Sequence, residues 1–176
     1  MRKPLLVAVM AALIAAVGTA IADDATATPY MVLEFQQVDQ EFVGLVPEGI
    51  RLNGHHAGVV TEGFNAGATT RSIDYFLYRH DGVGVMHTRG VAVHPDGTTI
   101  AMTLQGYLGE PMPGLLEAMF DPAFVPPDVA VPFHGAAWFE TMAPQYAFLN
   151  LTLFGCVGDV NLFQNAGHMT CRSLAP

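Results

Sequence analysis

The feature that most constrains the fold is a strand–turn–strand pattern between residues 71 and 93. Residues 71–79 (RSIDYFLYR) and 83–93 (VGVMHTRGVAV) are rich in apolar and aromatic side chains, and His80-Asp81-Gly82 separates them. An Asp-Gly pair accepts the positive φ angles of a tight hairpin turn, and the flanking segments are typical of strands. The sequence therefore predicts an antiparallel β-hairpin at this place.

Most of the remaining chain shows the same two-residue periodicity, with turn residues between the apolar segments. Further strands are predicted at residues 30–36, 40–46, 50–60, 98–106, 136–142, 145–157 and 167–174. One short helix is predicted over residues 114–120, and a proline-rich loop over residues 125–132. Eight or so short strands separated by turns indicate an all-β fold, either a barrel or a sandwich.

A secretory signal peptide is predicted over residues 1–22. A positive start is followed by an apolar run and by Ala20-Ile21-Ala22, a small-x-small cleavage site directly before two acids. An uncleaved membrane anchor is the alternative, because the run is near the lower limit for spanning a bilayer. Cleavage after Ala22 predicts one exported domain, residues 23–176, in the periplasm or outside the cell and without a membrane segment.

The charge of this domain excludes some partners. Without Arg2 and Lys3 the chain has five arginines and no lysine against sixteen acids, a net charge of about −11. Such a chain repels nucleic acid and anionic membrane surfaces. The acidity favours a role in solubility over one in recognition.

The two cysteines, Cys156 and Cys171, are expected to form a disulfide bond, since an exported chain meets an oxidising compartment. The bond would close a loop of about 15 residues, worth roughly 3 kcal/mol in the chain-entropy model. A pair of free thiols or metal ligands is the alternative, but the spacing matches no zinc or redox motif.

The predicted strand at residues 145–157 is apolar on both faces. One row consists of Ala147, Leu149, Leu151 and Leu153, and the other contains Tyr146, Phe148, Asn150, Thr152, Phe154 and Cys156. A strand that is apolar on both faces is covered on both. We expect the mixed row to line a cavity and the aliphatic row to pack under the helix, a loop or a partner subunit, which permits a homodimer.

Two segments carry a resemblance to a known family. Residues 139–150 (FETMAPQYAFLN) and 73–91 (IDYFLYRHDGVGVMHTRGV) resemble the FET…P.Y.WLN signature and the Asp-Gly hairpin of the small bacterial and fungal proteins grouped as domain of unknown function 3237. Order and separation also agree, over about residues 73–157. The resemblance implies a closed antiparallel β-barrel of about eight strands, of the lipocalin or calycin type, with one short helix and an internal pocket that has room for one small ligand.

The chain departs from that family in several respects: its export signal and its cysteine pair are not typical, and one segment differs in sequence. The family usually carries Gly-Gly-Ala-Asp-Trp before its first hairpin, whereas residues 63–70 here are GFNAGATT and lack both the Asp and the Trp. If that acid shapes the family's pocket, the pocket of this chain differs. The family has no settled activity, so the resemblance supports the fold far more than a function.

The polar residues of the matched strands are candidates for a site. A carboxyl group in an apolar pocket can have its pKa raised enough to act as a general acid or base, which makes Glu140 and Asp74 candidate catalytic residues. The candidate ligand-binding residues are Arg89, Tyr146, Asn150, His87 and Arg71. Alternatively, Arg89 forms a structural ion pair with Glu140 or Asp74, because buried charges are generally paired. Tyr146 and Asn150, four apart on one predicted strand, are alternatively satisfied core groups.

No metal or cofactor is predicted. None of the seven histidines belongs to an HxH, HExxH or CxxC pattern, and no nucleotide-binding fingerprint occurs. His55 and His56 are adjacent, so on a regular strand they point to opposite faces. A metal site assembled from distant strands would use one of these two with His87 and Glu140.

Three functions stay open at this point. The first is binding of a small, largely apolar molecule inside the barrel. The second is a cofactor-free isomerase, cyclase or hydratase that acts on such a molecule. The third is a structural or interaction protein whose barrel is packed shut.

Overall fold

Eight antiparallel strands close into a barrel in the computed structural model, which describes residues 29–109, 115–118, 120–121 and 123–174. This confirms the predicted all-β barrel and excludes the sandwich. The elements are β1 (Tyr30–Val46), β2 (Gly49–Gly63), β3 (Thr69–Arg79), β4 (Gly84–Val93), β5 (Thr99–Leu108), α1 (Leu115–Ala118), β6 (Ala130–Glu140), a 3-10 helix (Pro144–Leu151), β7 (Leu153–Asn161) and β8 (Ala166–Ser173). Each strand pairs with the next in the chain, and β8 pairs with β1.

The helix α1 lies within the helix predicted over residues 114–120. Among the described residues no helix combines the length and the hydrophobicity that a bilayer span requires. The signal peptide predicted over residues 1–22 lies outside the described part of the chain.

Side chains alternate between the barrel interior and its outer surface, because successive residues of a strand point to opposite faces. In β3, Thr70, Asp74 and Tyr78 are buried inside the barrel, whereas Arg71 and Arg79 are exposed outside. The same alternation along all eight strands places the apolar core and the candidate site inside the barrel.

One end of the barrel is filled by aromatic rings. Phe64, from the β2–β3 connection, packs with ring centroids 5.4 Å from Phe139, 6.0 Å from Phe148 and 5.4 Å from Phe154. Phe139 and Phe154 meet edge to face at 5.1 Å. This cluster, with the 3-10 helix beside it, closes the barrel at the end where β2, β4, β6 and β8 finish.

Two predicted strand boundaries are wrong. Residues 30–36 and 40–46 belong to the single strand β1, which continues through register shifts between Gln37 and Asp39 and between Phe42 and Gly44. A bulge lets a strand bend without ending, which sequence periodicity cannot distinguish from a break. β6 begins at Ala130, inside the predicted proline-rich loop.

The strand predicted over residues 145–157 is also wrong in its first half. Residues Pro144–Leu151 form a 3-10 helix, with Leu149 fully buried, and β7 begins only at Leu153. β5 and β7 already occupy both edges of β6, so the connecting segment crosses the end of the barrel instead of adding a strand. The doubly apolar strand face does not exist, and the homodimer inferred from it stays a prediction without that support.

The predicted disulfide bond between Cys156 and Cys171 is confirmed. The two residues are directly opposite each other on β7 and β8, with Cα atoms 4.1 Å apart, and both side chains are buried in the core. The bond links β7 to β8, and β8 closes the barrel by pairing with β1.

We expect reduction of the Cys156–Cys171 bond to lower the free energy of unfolding by about 3 kcal/mol, because the bond closes a 15-residue separation in the unfolded chain. Urea unfolding with and without a reductant measures the difference. The control is the Cys156→Ala/Cys171→Ala variant, whose stability should not respond to the reductant. Equal stability of the oxidised and reduced protein would contradict the prediction.

Candidate functional site

The barrel interior holds a cavity of about 460 Å³ at the end opposite the aromatic cluster. Most of its wall is apolar, and the strand residues that form this wall include Phe35, Leu52, Phe76, Met86, Leu104 and Phe133. Phe124, Pro126 and Val129, from the connection between β5 and β6, line its mouth. The barrel is therefore hollow, which is contrary to the packed-shut alternative.

Asp74 is the one carboxylate in the described wall of this cavity. Its side chain is 8% exposed, and its Oδ1 accepts a hydrogen bond of 2.8 Å from the backbone N–H of His87. The side chain of Thr88, itself buried, contributes a second hydrogen bond. Burial raises the pKa of Asp74 to about 6, although both hydrogen bonds act in the opposite direction. The site thus holds a carboxyl group that titrates near neutral pH.

His56 lies beside Asp74 in the cavity wall. Gly54 is directly opposite Asp74 in the β2–β3 ladder. A Cβ atom on Gly54 would lie 3.1 Å from Cε1 of His56 and 3.2 Å from Oε1 of Gln37. Because Gly54 has no side chain, a space remains next to the Asp74 carboxylate. The His56 ring and the Gln37 amide border this space.

The ring of His56 is neutral at physiological pH. Burial lowers its pKa, and the neighbouring His55 lowers it further. The edge of the His56 ring meets Phe35 at a centroid distance of 5.6 Å. A neutral imidazole offers one donor and one acceptor nitrogen, so His56 adds a hydrogen-bonding group without a charge.

Sequence reasoning identified Asp74, considered His56 only as a metal ligand, and missed the cavity residues Gln37 and Thr88. The predicted placement of His55 and His56 on opposite faces is confirmed: His56 lines the cavity, and Nε2 of His55 lies 3.8 Å from Oε1 of Glu41 outside it. Only the pairing of β2 with β3 decides which of the two faces inward.

The prediction that Glu140 is a carboxyl group in an apolar pocket is wrong. Its side chain is exposed at the last residue of β6, outside the cavity wall. Arg71 and Arg89 are also exposed. Arg71 is three residues from Asp74 on β3, and Arg89 is one residue from Thr88 on β4. Because alternate residues of a strand point to opposite faces, both arginines point outward. No ion pair among the described residues joins Arg89 to Glu140 or Asp74.

Asn150 braces the backbone and lies outside the cavity wall. Its side-chain Oδ1 accepts a hydrogen bond from the N–H of Thr141, and its Nδ2 donates one to the carbonyl of Thr141, both at 2.9 Å. Tyr146, half-buried in the 3-10 helix, packs against the core and does not line the cavity. The polar residues of the segment FETMAPQYAFLN therefore hold the closed end of the barrel together.

His87 contributes to the site through its backbone alone. Its ring lies on the outer side of β4 at a centroid distance of 6.4 Å from Tyr75, and its buried Nε2 has no hydrogen-bond partner among the described residues. No three His, Cys, Asp or Glu side chains of the described residues come together as a candidate metal site. The assembly of His55 or His56 with His87 and Glu140 is not formed.

Comparison with known proteins identifies the class of fold. No protein-family model matches the chain. No curated protein matches it either. A solved protein of unknown function from Clostridium acetobutylicum ATCC 824 is similar in structure, with a TM-score of 0.65 and 18% identity over 84% of this chain and 94% of that one.

Two further solved structures share the fold. A β-barrel like protein from Acinetobacter baumannii AYE has a TM-score of 0.56 and 19% identity, over 88% of this chain and 99% of that one. An enzyme from Penicillium herquei has a TM-score of 0.52 and 15% identity, over 86% and 99%. At these identities the likeness shows the fold alone: the chain is a small closed β-barrel protein.

We expect the pH dependence of stability to report Asp74. The native state takes up the Asp74 proton near pH 6 and the unfolded state near pH 3.8, so the native state binds more protons between these values. This contribution to stability is fully present below pH 3.8 and is lost as the pH rises through about 6. The difference in free energy of unfolding amounts to about 3 kcal/mol.

The Asp74→Asn variant isolates this effect, because Asn retains an acceptor for the His87 N–H. Relative to the natural protein, its stability should rise by about 2 kcal/mol between pH 4 and pH 7 in urea unfolding. The control is Asp39→Asn, at an exposed carboxylate. A flat difference for Asp74→Asn across this range would rule out a raised pKa.

Asn150→Ala should lower the free energy of unfolding by about 1–2 kcal/mol, because two side-chain hydrogen bonds to Thr141 are lost. Gln145→Ala, in the same 3-10 helix with one long hydrogen bond of 3.5 Å, is the matched control. Urea unfolding of both variants provides the test, and an Asn150→Ala protein as stable as the natural protein would contradict it.

Proposed function

We propose that the protein binds one small, largely apolar molecule inside its barrel. The observation that carries the proposal is the open cavity of about 460 Å³ with a mostly apolar wall. Small-molecule sites usually measure about 300–1,000 Å³ and combine apolar walls with a few polar groups that fix the orientation of the ligand. The cavity matches this description in volume and in chemistry.

Four polar groups of the cavity wall lie on three neighbouring strands. Asp74 and Ser72 belong to β3, His56 to β2 and Thr88 to β4, and these strands are adjacent in the sheet. A ligand with one polar end would place that end here and its apolar remainder against the rest of the wall. This arrangement supports a single orientation of the ligand.

We place the binding function in an exported compartment. The Cys156–Cys171 bond supports this proposal, because disulfide bonds persist in oxidising compartments. The signal peptide predicted over residues 1–22 agrees with it. Membership in the domain of unknown function 3237 family is likewise a proposal; the Asn150–Thr141 brace supports it, since it gives the FET…LN spacing a physical reason.

A second candidate function is proton-transfer catalysis without a cofactor, of the isomerase, cyclase or hydratase kind. The observation that favours it is Asp74, whose pKa of about 6 suits a general acid or base near neutral pH. Glu140, Arg89 and Tyr146 have no part in it, because they do not line the cavity. In this reaction Asp74 would accept a proton from the bound molecule and return it at another atom.

Native mass spectrometry of the protein purified from its natural compartment distinguishes the two functions. A compound that copurifies and is recovered unchanged supports carriage. If the compound is converted by the natural protein and bound but left unchanged by Asp74→Asn, catalysis is supported. Glu140→Gln is the control, and conversion that continues in Asp74→Asn would exclude Asp74 as the acid or base.

A cavity-filling substitution tests the binding site directly. Leu104→Trp places an indole in the cavity and should weaken binding of the neutral fluorescent probe N-phenyl-1-naphthylamine at least about tenfold, because the added volume displaces the ligand. Val157→Trp, at a position 61% exposed on the outer surface, should bind normally. Fluorescence titration of both variants gives the dissociation constants. Unchanged binding in a folded Leu104→Trp protein would locate the probe elsewhere.

A further inference from the structure

The cavity wall carries negative charge and no positive charge. Among the described residues that line it, the ionisable groups are Asp74, His56 and Tyr78. All five described arginines, Arg51, Arg71, Arg79, Arg89 and Arg172, are exposed and absent from the wall. A ligand with a carboxylate or phosphate would meet the Asp74 carboxylate without a cation to compensate, so the wall disfavours anionic ligands.

We propose that the cavity selects a hydrophobic amine, whose ammonium group pairs with Asp74 while its apolar part fills the barrel. This inference rests on the proposed binding function and narrows its ligand to one chemical class. It replaces the expectation that Arg71 or Arg89 binds the ligand.

Asp74 is suited to a cationic partner because its carboxylate is already removed from bulk water. The two hydrogen bonds from His87 and Thr88 use only part of its accepting capacity, since an ionised carboxylate offers about four lone-pair sites. An ammonium group would supply the missing counter-charge. Charge-assisted hydrogen bonds of this kind are about twice as strong as neutral ones.

His56 does not cancel this charge. Its ring is neutral at physiological pH because burial lowers its pKa, so the wall keeps the full negative charge of Asp74. From β4, the groups that face Asp74 are the Thr88 side chain and the backbone N–H of His87, neither of which titrates in this range. The acceptor nitrogen of His56 can take a second hydrogen from the ammonium group.

The apolar wall also favours a cation through its aromatic rings. Phe35, Phe76, Tyr78 and Phe133 line the cavity. The face of an aromatic ring attracts an ammonium group, by about 0.5–1 kcal/mol at exposed sites and more where water is excluded. The same rings contact the hydrocarbon part of the ligand, so they do not oppose an amphipathic amine.

The strand connections around the open end of the barrel are acidic as well. The connections between strands at this end contain the exposed carboxylates Glu48, Asp81, Asp121 and Asp128, and their described residues include no lysine or arginine. Arg79, at the end of β3, is paired with Asp81. These carboxylates surround the opening and lie outside the cavity wall; an excess of one sign of charge there raises the local concentration of ligands of the opposite sign.

A matched ligand series tests the inference. Octylamine, octan-1-ol and octanoic acid are each titrated as competitors of bound N-phenyl-1-naphthylamine. The proteins compared are the natural protein, Asp74→Asn and the control Asp159→Asn. In the natural protein Asp159 pairs with His168 outside the cavity. At pH 7.5 octylamine should bind the natural protein about tenfold or more tightly than octanol, and octanoate more weakly than either. The advantage of the amine should vanish in Asp74→Asn and persist in Asp159→Asn.

The natural protein alone supplies a second measurement. Lowering the pH from 7.5 to 5 protonates Asp74 and should weaken octylamine binding by about tenfold, while octanol binding stays constant. Octanol or octanoate binding as tightly as octylamine would overturn the inference, as would a bound probe that octylamine fails to displace. Absence of probe binding would instead overturn the proposed binding function itself, so the two failures are distinguishable.

Discussion

The pairing of β8 with β1 is the constraint on which the rest of the structure depends. Seven residue pairs, from Tyr30–Arg172 to Gln36–Ala166, close the sheet on itself. Closure gives the sheet an interior. On every strand, alternate residues then point either into this interior or to the outer surface. Without this pairing, the cavity wall would be one face of an open sheet, and Asp74 would be in water.

The two ends of the barrel differ: one is packed with side chains and the other encloses the cavity. At one end Phe64, Phe139 and Phe154 fill the interior, and the Asn150 brace fixes the 3-10 helix beside them. At the other end the wall stays open, and the space holds a carboxyl group whose ionised form is costly to bury. The packed end stabilises the fold, which allows the hollow end to keep an energetically unfavourable buried group.

Residues 139–150 show where sequence reasoning succeeds and where it fails. Their spacing suggested a functional segment, but the structure assigns them a structural task, because Asn150 bonds to Thr141 and Leu149 packs into the closed end. A proline and an apolar run fit both a strand and a 3-10 helix, so local pattern could not decide between them. The pairing of β6 settles the question: β5 and β7 occupy both of its edges, so the segment that follows it cannot pair there as a strand.

The sequence by itself determined the all-β class, the Asp-Gly hairpin, the Cys156–Cys171 bond and Asp74 as a candidate, because these follow from local periodicity, turn chemistry and a single cysteine pair. Only the tertiary structure decided that Asp74 and His56 share a cavity while Glu140, Arg71 and Arg89 face water. The physical reason is register: a shift of one residue exchanges the two faces of a strand, and only pairing with the neighbouring strands fixes it.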